Sequence, residues 1–98
     1  MARFTQTAMN PGISSGPYTQ VSSTWTGGSV PCRFYVLAQC NHVIGDYATA
    51  ADALIASNAG KYGVMAANVT IDFGPVDASK MWVRSGSAAT TLTWETIA

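Results

Sequence analysis

A chain of 98 residues has room for one domain and no second. Five Lys+Arg offset five Asp+Glu, and only 10% of residues are charged, against about 25% in an ordinary soluble domain. There is no basic excess to neutralise a phosphate backbone, no apolar run near the roughly 20 residues of a membrane-spanning helix, and no apolar core in Met1–Gln6, so neither nucleic acid nor membrane is an expected partner and no signal peptide is read.

Near-zero net charge leaves little repulsion between copies. The polar part of the chain is mostly Ser, Thr, Asn and Gly. Such a surface suits a protein covered by partners or by copies of itself, and a homo-oligomer is expected.

Residues 1–17 read as an extended arm. Asn10-Pro11-Gly12 and Ser14-Ser15-Gly16-Pro17 break it, and only Phe4, Met9 and Ile13 could anchor it, with a short strand near Phe4. Residues 18–98 read as a single β domain. Tyr18–Trp25, rich in Thr, Val and aromatics, predicts a strand. Thr26-Gly27-Gly28-Ser29 predicts a turn. Val30–Cys40 is the strongest strand, with either Phe34, Val36 and Ala38 or Tyr35 and Leu37 turned inward. The unbroken apolar run from Phe34 to Ala38 suits a central strand covered on both faces.

Asn41-His42 then reads as a turn and Val43–Tyr47 as a short strand. Residues 48–60 are either a helix or a loop. Thr49-Ala50-Ala51-Asp52 resembles a capping box with Asp in place of Glu, and Asn58-Ala59-Gly60 would close a helix. Lys61–Ala67 is a weak strand. Val69, Ile71 and Phe73 alternate with Thr70 and Asp72, and Gly74-Pro75 is expected to end that strand. Val76–Lys80 predicts a connector with one 3₁₀ turn. Met81–Arg84 begins another strand, ended by Ser85-Gly86-Ser87. In the last strand, Thr90–Ile97, Leu92 and Trp94 share a face. About six to eight short strands predict an all-β fold, a small sandwich or barrel, with room for one short helix.

The candidates for chemistry are few. Along one strand Cys32 and Cys40 would lie about 26 Å apart, whereas a disulfide needs Cα atoms within about 7 Å, so the pair cannot bridge unless the strand is broken between them. Both therefore read as small buried hydrophobes in a reducing compartment. One histidine and two separated cysteines do not make a closed zinc site, and no metal or cofactor is expected. His42 beside Cys40 could form a dyad only with a group to orient it, and none is evident. Asp46, Asp52, Asp72, Asp77 and Glu95 form no acid–base motif, and Gly27-Gly28 lacks the strand–loop–helix context of a phosphate loop. Trp25, Trp82, Trp94 and Tyr18, Tyr35, Tyr47 and Tyr62 could form core, subunit interface or a sugar platform. No enzymatic activity is expected. An interface is expected to use Arg3, Phe4, Met9 and Ile13 of the arm with Trp25 and Trp82.

The C-terminal half, about residues 41–98, adds a resemblance. Gly45 after Val43-Ile44, then Lys61-Tyr62-Gly63-Val64, Val69–Phe73, Asp77-Ala78-Ser79-Lys80-Met81-Trp82-Val83-Arg84-Ser85-Gly86 and the threonine-rich strand Thr90–Trp94 resemble small virion accessory proteins of tailed bacteriophages. The resemblance implies a short β-sandwich that decorates capsids or sits in head and tail structures, with no catalytic residues to carry over. The expected function is a capsid decoration (cement) protein in the virion, assembled in the host cytoplasm, with the major capsid protein or other virion proteins as partners. The alternative is a carbohydrate- or receptor-binding module of a head fibre or tail structure.

Overall fold

A computed structural model of the chain describes the backbone of residues 3–4, residue 13, residues 16–86 and residues 89–97. Met9, the Asn10-Pro11-Gly12 turn, Ser14-Ser15, Ser87 and the side chains of Arg3 and Phe4 lie outside the described residues. Within those bounds the fold is all-β with one helix. The strands are β1 (Arg3–Phe4), β2 (Thr19–Gln20), β3 (Val30–Val36), β4 (Cys40–Ile44), β5 (Gly63–Met65), β6 (Ile71–Val76), β7 (Met81–Ser85) and β8 (Leu92–Ile97), with α1 (Ala50–Asn58) between β4 and β5. They form two four-stranded sheets, ordered β1-β8-β3-β6 and β2-β7-β4-β5, antiparallel throughout. Every connection but the helical one changes sheet.

The sheets stack as a sandwich around one core. Alternation along β3 turns Cys32, Phe34 and Val36 inward, and along β8 Leu92, Trp94 and Thr96. Opposite them lie Cys40, Met65, Met81 and Val83 of the second sheet. Trp94 stacks on Phe34 at 6.3 Å and meets Trp25 edge-on at 5.9 Å. Burying an aromatic side chain of about 200 Å² at about 25 cal/mol per Å² contributes about 5 kcal/mol, so this cluster is a principal source of stability.

The second sheet is covered on its outer face too. Tyr18, Val43 and Trp82 pack there against Ala53, with Ala50, Leu54 and Tyr47 around them. Thr49 caps α1, its hydroxyl accepting from Asp52 N–H at 3.2 Å. The helix ends in a Schellman turn: Gly60 adopts φ +86°, its N–H donates to Ser57 O, and Lys61 N–H donates to Ala56 O. Segment 48–60 is thus a helix from residue 50. It is made stable by docking on the sheet, since a helix this short is marginal alone.

Several expected elements differ. The strand expected over Tyr18–Trp25 pairs only at Thr19–Gln20. Val21 still donates to Met81 O, but the Ser22 hydroxyl then accepts from the N–H groups of Thr24 and Trp25 and folds the chain away. Val30–Cys40 is not one strand. It breaks at Leu37–Gln39, where the chain leaves one sheet for the other, so Asn41-His42 lies inside β4 rather than in a turn, and Gly45–Tyr47 fall beyond it. The strand covered on both faces is β7, not β3. Gly74-Pro75 does not end β6, because β6 pairs only with β3 and its outer edge needs no Pro75 N–H. Pro31 faces Pro75 and Cys32 faces Phe73, so Gly74 is the extra residue of a bulge. The 3₁₀ turn over Ala78–Lys80 forms as read, capped by Asp77, which accepts from the N–H and hydroxyl of Ser79.

Candidate functional site: an apolar, uncharged side of the sandwich

The described part of the arm lies on the domain. Arg3–Phe4 pairs with Thr96–Ile97 of β8. Ile13 is fully buried in the core and exchanges two backbone hydrogen bonds with Thr90, at 2.9 and 3.0 Å. Trp25 is half-buried against Trp94, with its indole N–H donating to Gly28 O at 2.8 Å. Trp82 is buried beneath α1. Ile13 and Trp25 thus belong to the core between the sheets and Trp82 to the cluster beneath α1.

The cysteines are free and buried. Burial pushes the Cys32 thiol up to about 11 and raises that of Cys40 as well. The Cys40 thiol is directed to Ala38 O at 3.3 Å, not to His42. The imidazole lies against Gly63, its strand partner, and meets Phe73 of the opposite sheet edge-on at 5.1 Å. A Cβ on residue 63 would stand 2.5 Å from His42 Nε2, so any larger residue there must displace the imidazole. Burial lowers the His42 pKa. A thiol kept protonated beside an imidazole kept neutral is the wrong pairing for a thiolate nucleophile. Among the described residues, no three His, Cys, Asp or Glu side chains gather as a metal site would need.

The outer face of the first sheet carries a charge ladder. Arg33 donates to Asp72 on β6 at 2.7 Å and to Glu95 on β8 at 3.3 Å. Hydrogen bonds from this guanidinium hold the Asp72 carboxyl below the usual range. A shallow groove of about 230 Å³ runs beside it, lined by Arg33, Tyr35, Thr70, Thr93 and Glu95. At the other sheet, a cup of about 360 Å³ is lined by Gln20, Gly45, Asp46, Tyr47 and Lys80, with a Lys80–Asp46 ion pair of 3.0 Å at its rim.

The most distinctive surface lies where β5 and β6 form the same side of the sandwich. Among the described residues, the large apolar side chains left exposed are Leu37, Ile44, Ile55, Tyr62, Val64 and Val69. All but Ile55 sit along or beside residues 62–69. Ile44 lies two residues past His42, the partner of Gly63. Leu37 follows Val36, whose carbonyl accepts from Asn68 N–H at 2.9 Å. No residue from Tyr62 to Ile71 is charged. Sequence reading missed this surface because Tyr62 and Val64 alternate with Gly63 and Met65, so neither face of β5 stands out as polar. The gap between Lys61 and Asp72 was the available signal.

Comparison with protein-family models, with characterised proteins and with solved structures gives no match.

Proposed function

We propose that this chain is a phage virion structural protein, a capsid decoration subunit that stabilises the head through non-covalent contacts between neighbouring subunits and the major capsid protein. One observation carries the reading. In a chain with so few charges, five of the six large apolar side chains left exposed among the described residues lie on or next to the segment 62–69. Exposed apolar side chains gathered along one edge suit an interaction site, and a net charge of zero suits dense packing on a lattice. Repetition of modest contacts over a shell then yields tight retention by avidity. The resemblance of residues 41–98 to virion accessory proteins points the same way.

The test is to mix the purified protein with heads assembled from the major capsid protein of the same genome without it, and to sediment them. Saturable binding at a fixed copy number, with heads that rupture at higher temperature, is expected. Absence of binding refutes the reading. A second reading, a carbohydrate-binding module, is favoured by the cup at Gln20, Asp46, Tyr47 and Lys80, which sets an aromatic ring among planar polar groups. Tyr47 is the aromatic residue that lines this cup, so stacking on a sugar there would fall to it. A glycan array that gives no Tyr47-dependent signal removes this reading.

A further inference from the structure

The geometry points to β5 as a self-pairing edge: we infer that two copies of the chain join antiparallel through Gly63–Met65, about a two-fold axis at Val64, into one continuous eight-stranded sheet. The inference rests on the proposed function only in naming one of the subunit contacts that function requires.

A strand at a sheet edge presents unpaired N–H and C=O groups, and proteins blunt such edges with proline, charge, bulges or brevity. β6 is blunted by the Gly74 bulge and Pro75. β1 and β2 are two residues long. β5 is three residues long; it and its flanks from Tyr62 to Ala66 have no proline or charge, and β5 shows no register shift where it pairs with β4. Among the described residues no strand pairs with the outer edge of β5, and Val64 at 50% and Tyr62 at 49% exposure are not covered by α1, which packs on β4.

The partner is a second copy because the edge complements itself. A two-fold at Val64 sets Tyr62 opposite Ala66 of the second copy and Gly63 opposite its Met65. On either face, each large side chain then meets a small one. Val64 meets Val64, a β-branched pair suited to cross-strand packing. The nearest charge, Lys61, falls opposite Ala67 of the second copy. The two Lys61 residues are then six strand steps apart, about 20 Å, beyond the Debye length of about 8 Å at physiological salt. A strand of either charge sign from another protein would find no complementary charge along residues 62–71. The contact is isologous and closes at two copies.

Light scattering over a concentration series tests this. The wild type should be a dimer. Val64→Lys places two ammonium groups face to face at the axis and should raise the dimer dissociation constant at least about tenfold. Its melting temperature should stay within about 5 °C of the wild-type monomer's, because the side chain is half-exposed. Val64→Glu should behave alike, and an equimolar mixture of the Lys and Glu variants should restore the dimer, since only a two-fold at residue 64 opposes that position to itself. In the wild type, amide exchange at residues 63–65 should slow as concentration rises. A wild-type monomer at every concentration, a dimer untouched by either charge, or a mixture that stays monomeric overturns the inference. A monomer that binds heads overturns this pairing and leaves the proposed function standing. A Val64-dependent dimer that binds no heads does the reverse.

Discussion

Replacing Ile13 by alanine tests how far the arm belongs to the domain. Ile13 is fully buried beside the core cluster and is tied to Thr90 by two backbone hydrogen bonds. The bonds survive the substitution, so the effect isolates the side chain. Ile→Ala in a core costs about 2–5 kcal/mol, the spread reflecting how well the space collapses. A domain of this size has about 5–15 kcal/mol in all, and about 4–8 °C of melting temperature is lost per kcal/mol. A fall of at least about 8 °C is therefore expected. Removing residues 1–16 takes away the same side chain, its two hydrogen bonds and β1, so that truncation should unfold more readily still. The assay is urea denaturation followed by tryptophan fluorescence, which Trp25 and Trp94 report from the core. Val69→Ala, at a half-exposed position, is the control and should stay within about 0.5 kcal/mol of wild type. If Ile13→Ala also stays within about 0.5 kcal/mol, Ile13 is not a core residue and the reasoning fails.

Gly63→Ala should destabilise by about 1–3 kcal/mol, because its Cβ would meet the His42 ring. The cost should shrink in a His42→Ala background, which a double-mutant cycle by urea melts would measure. His42 should also give a pH dependence. Its folded pKa lies below the ordinary value because burial disfavours the imidazolium, so the unfolded chain binds the proton more tightly. That stability is complete above about pH 6.5 and is lost as pH falls below it. The urea midpoint should therefore drop between about pH 7 and pH 5 in wild type and drop less in His42→Leu, with the single imidazole titration followed by NMR. Native protein should resist thiol reagents at about pH 8 and react at both cysteines only on unfolding. Gly60→Ala should cost about 1 kcal/mol by thermal melt, since residue 60 sits at φ +86°.

In the last strand, where side chains alternate cleanly, the sequence alone was enough. Leu92 and Trp94 announced the inner face of β8. Thr49 and Gly60 marked both ends of α1, although docking on Val43 and Trp82 decided that it forms. Local reading failed where the cause lies elsewhere in the chain. Nothing between Leu37 and Gln39 is a glycine or proline, so the crossing between sheets has no local mark and two strands read as one. The Ser22 hydroxyl ended β2 inside a run of good strand formers. Gly74-Pro75 looked terminal because edge position is a property of the sheet, not of the dipeptide. The candidate surface was hidden for a related reason: Val64 and Met65 are both apolar, and only the assembled sheets decide which of them faces outward.

The alternation of the chain between sheets has a consequence for how the protein comes into being. Arg3 pairs with Ile97, Thr19 with Val83 and Arg33 with Glu95. β7 and β8 are interior strands, one in each sheet, yet they come last in sequence. During synthesis, residues up to about 80 have only the β3–β6 and β4–β5 pairings to make, and the inner faces of both sheets stay uncovered. Closure must wait for β7 and β8, and pairings this remote close slowly. The nascent chain therefore emerges with Phe34, Val36 and Met65 unsheltered, in the interval when aggregation competes with folding.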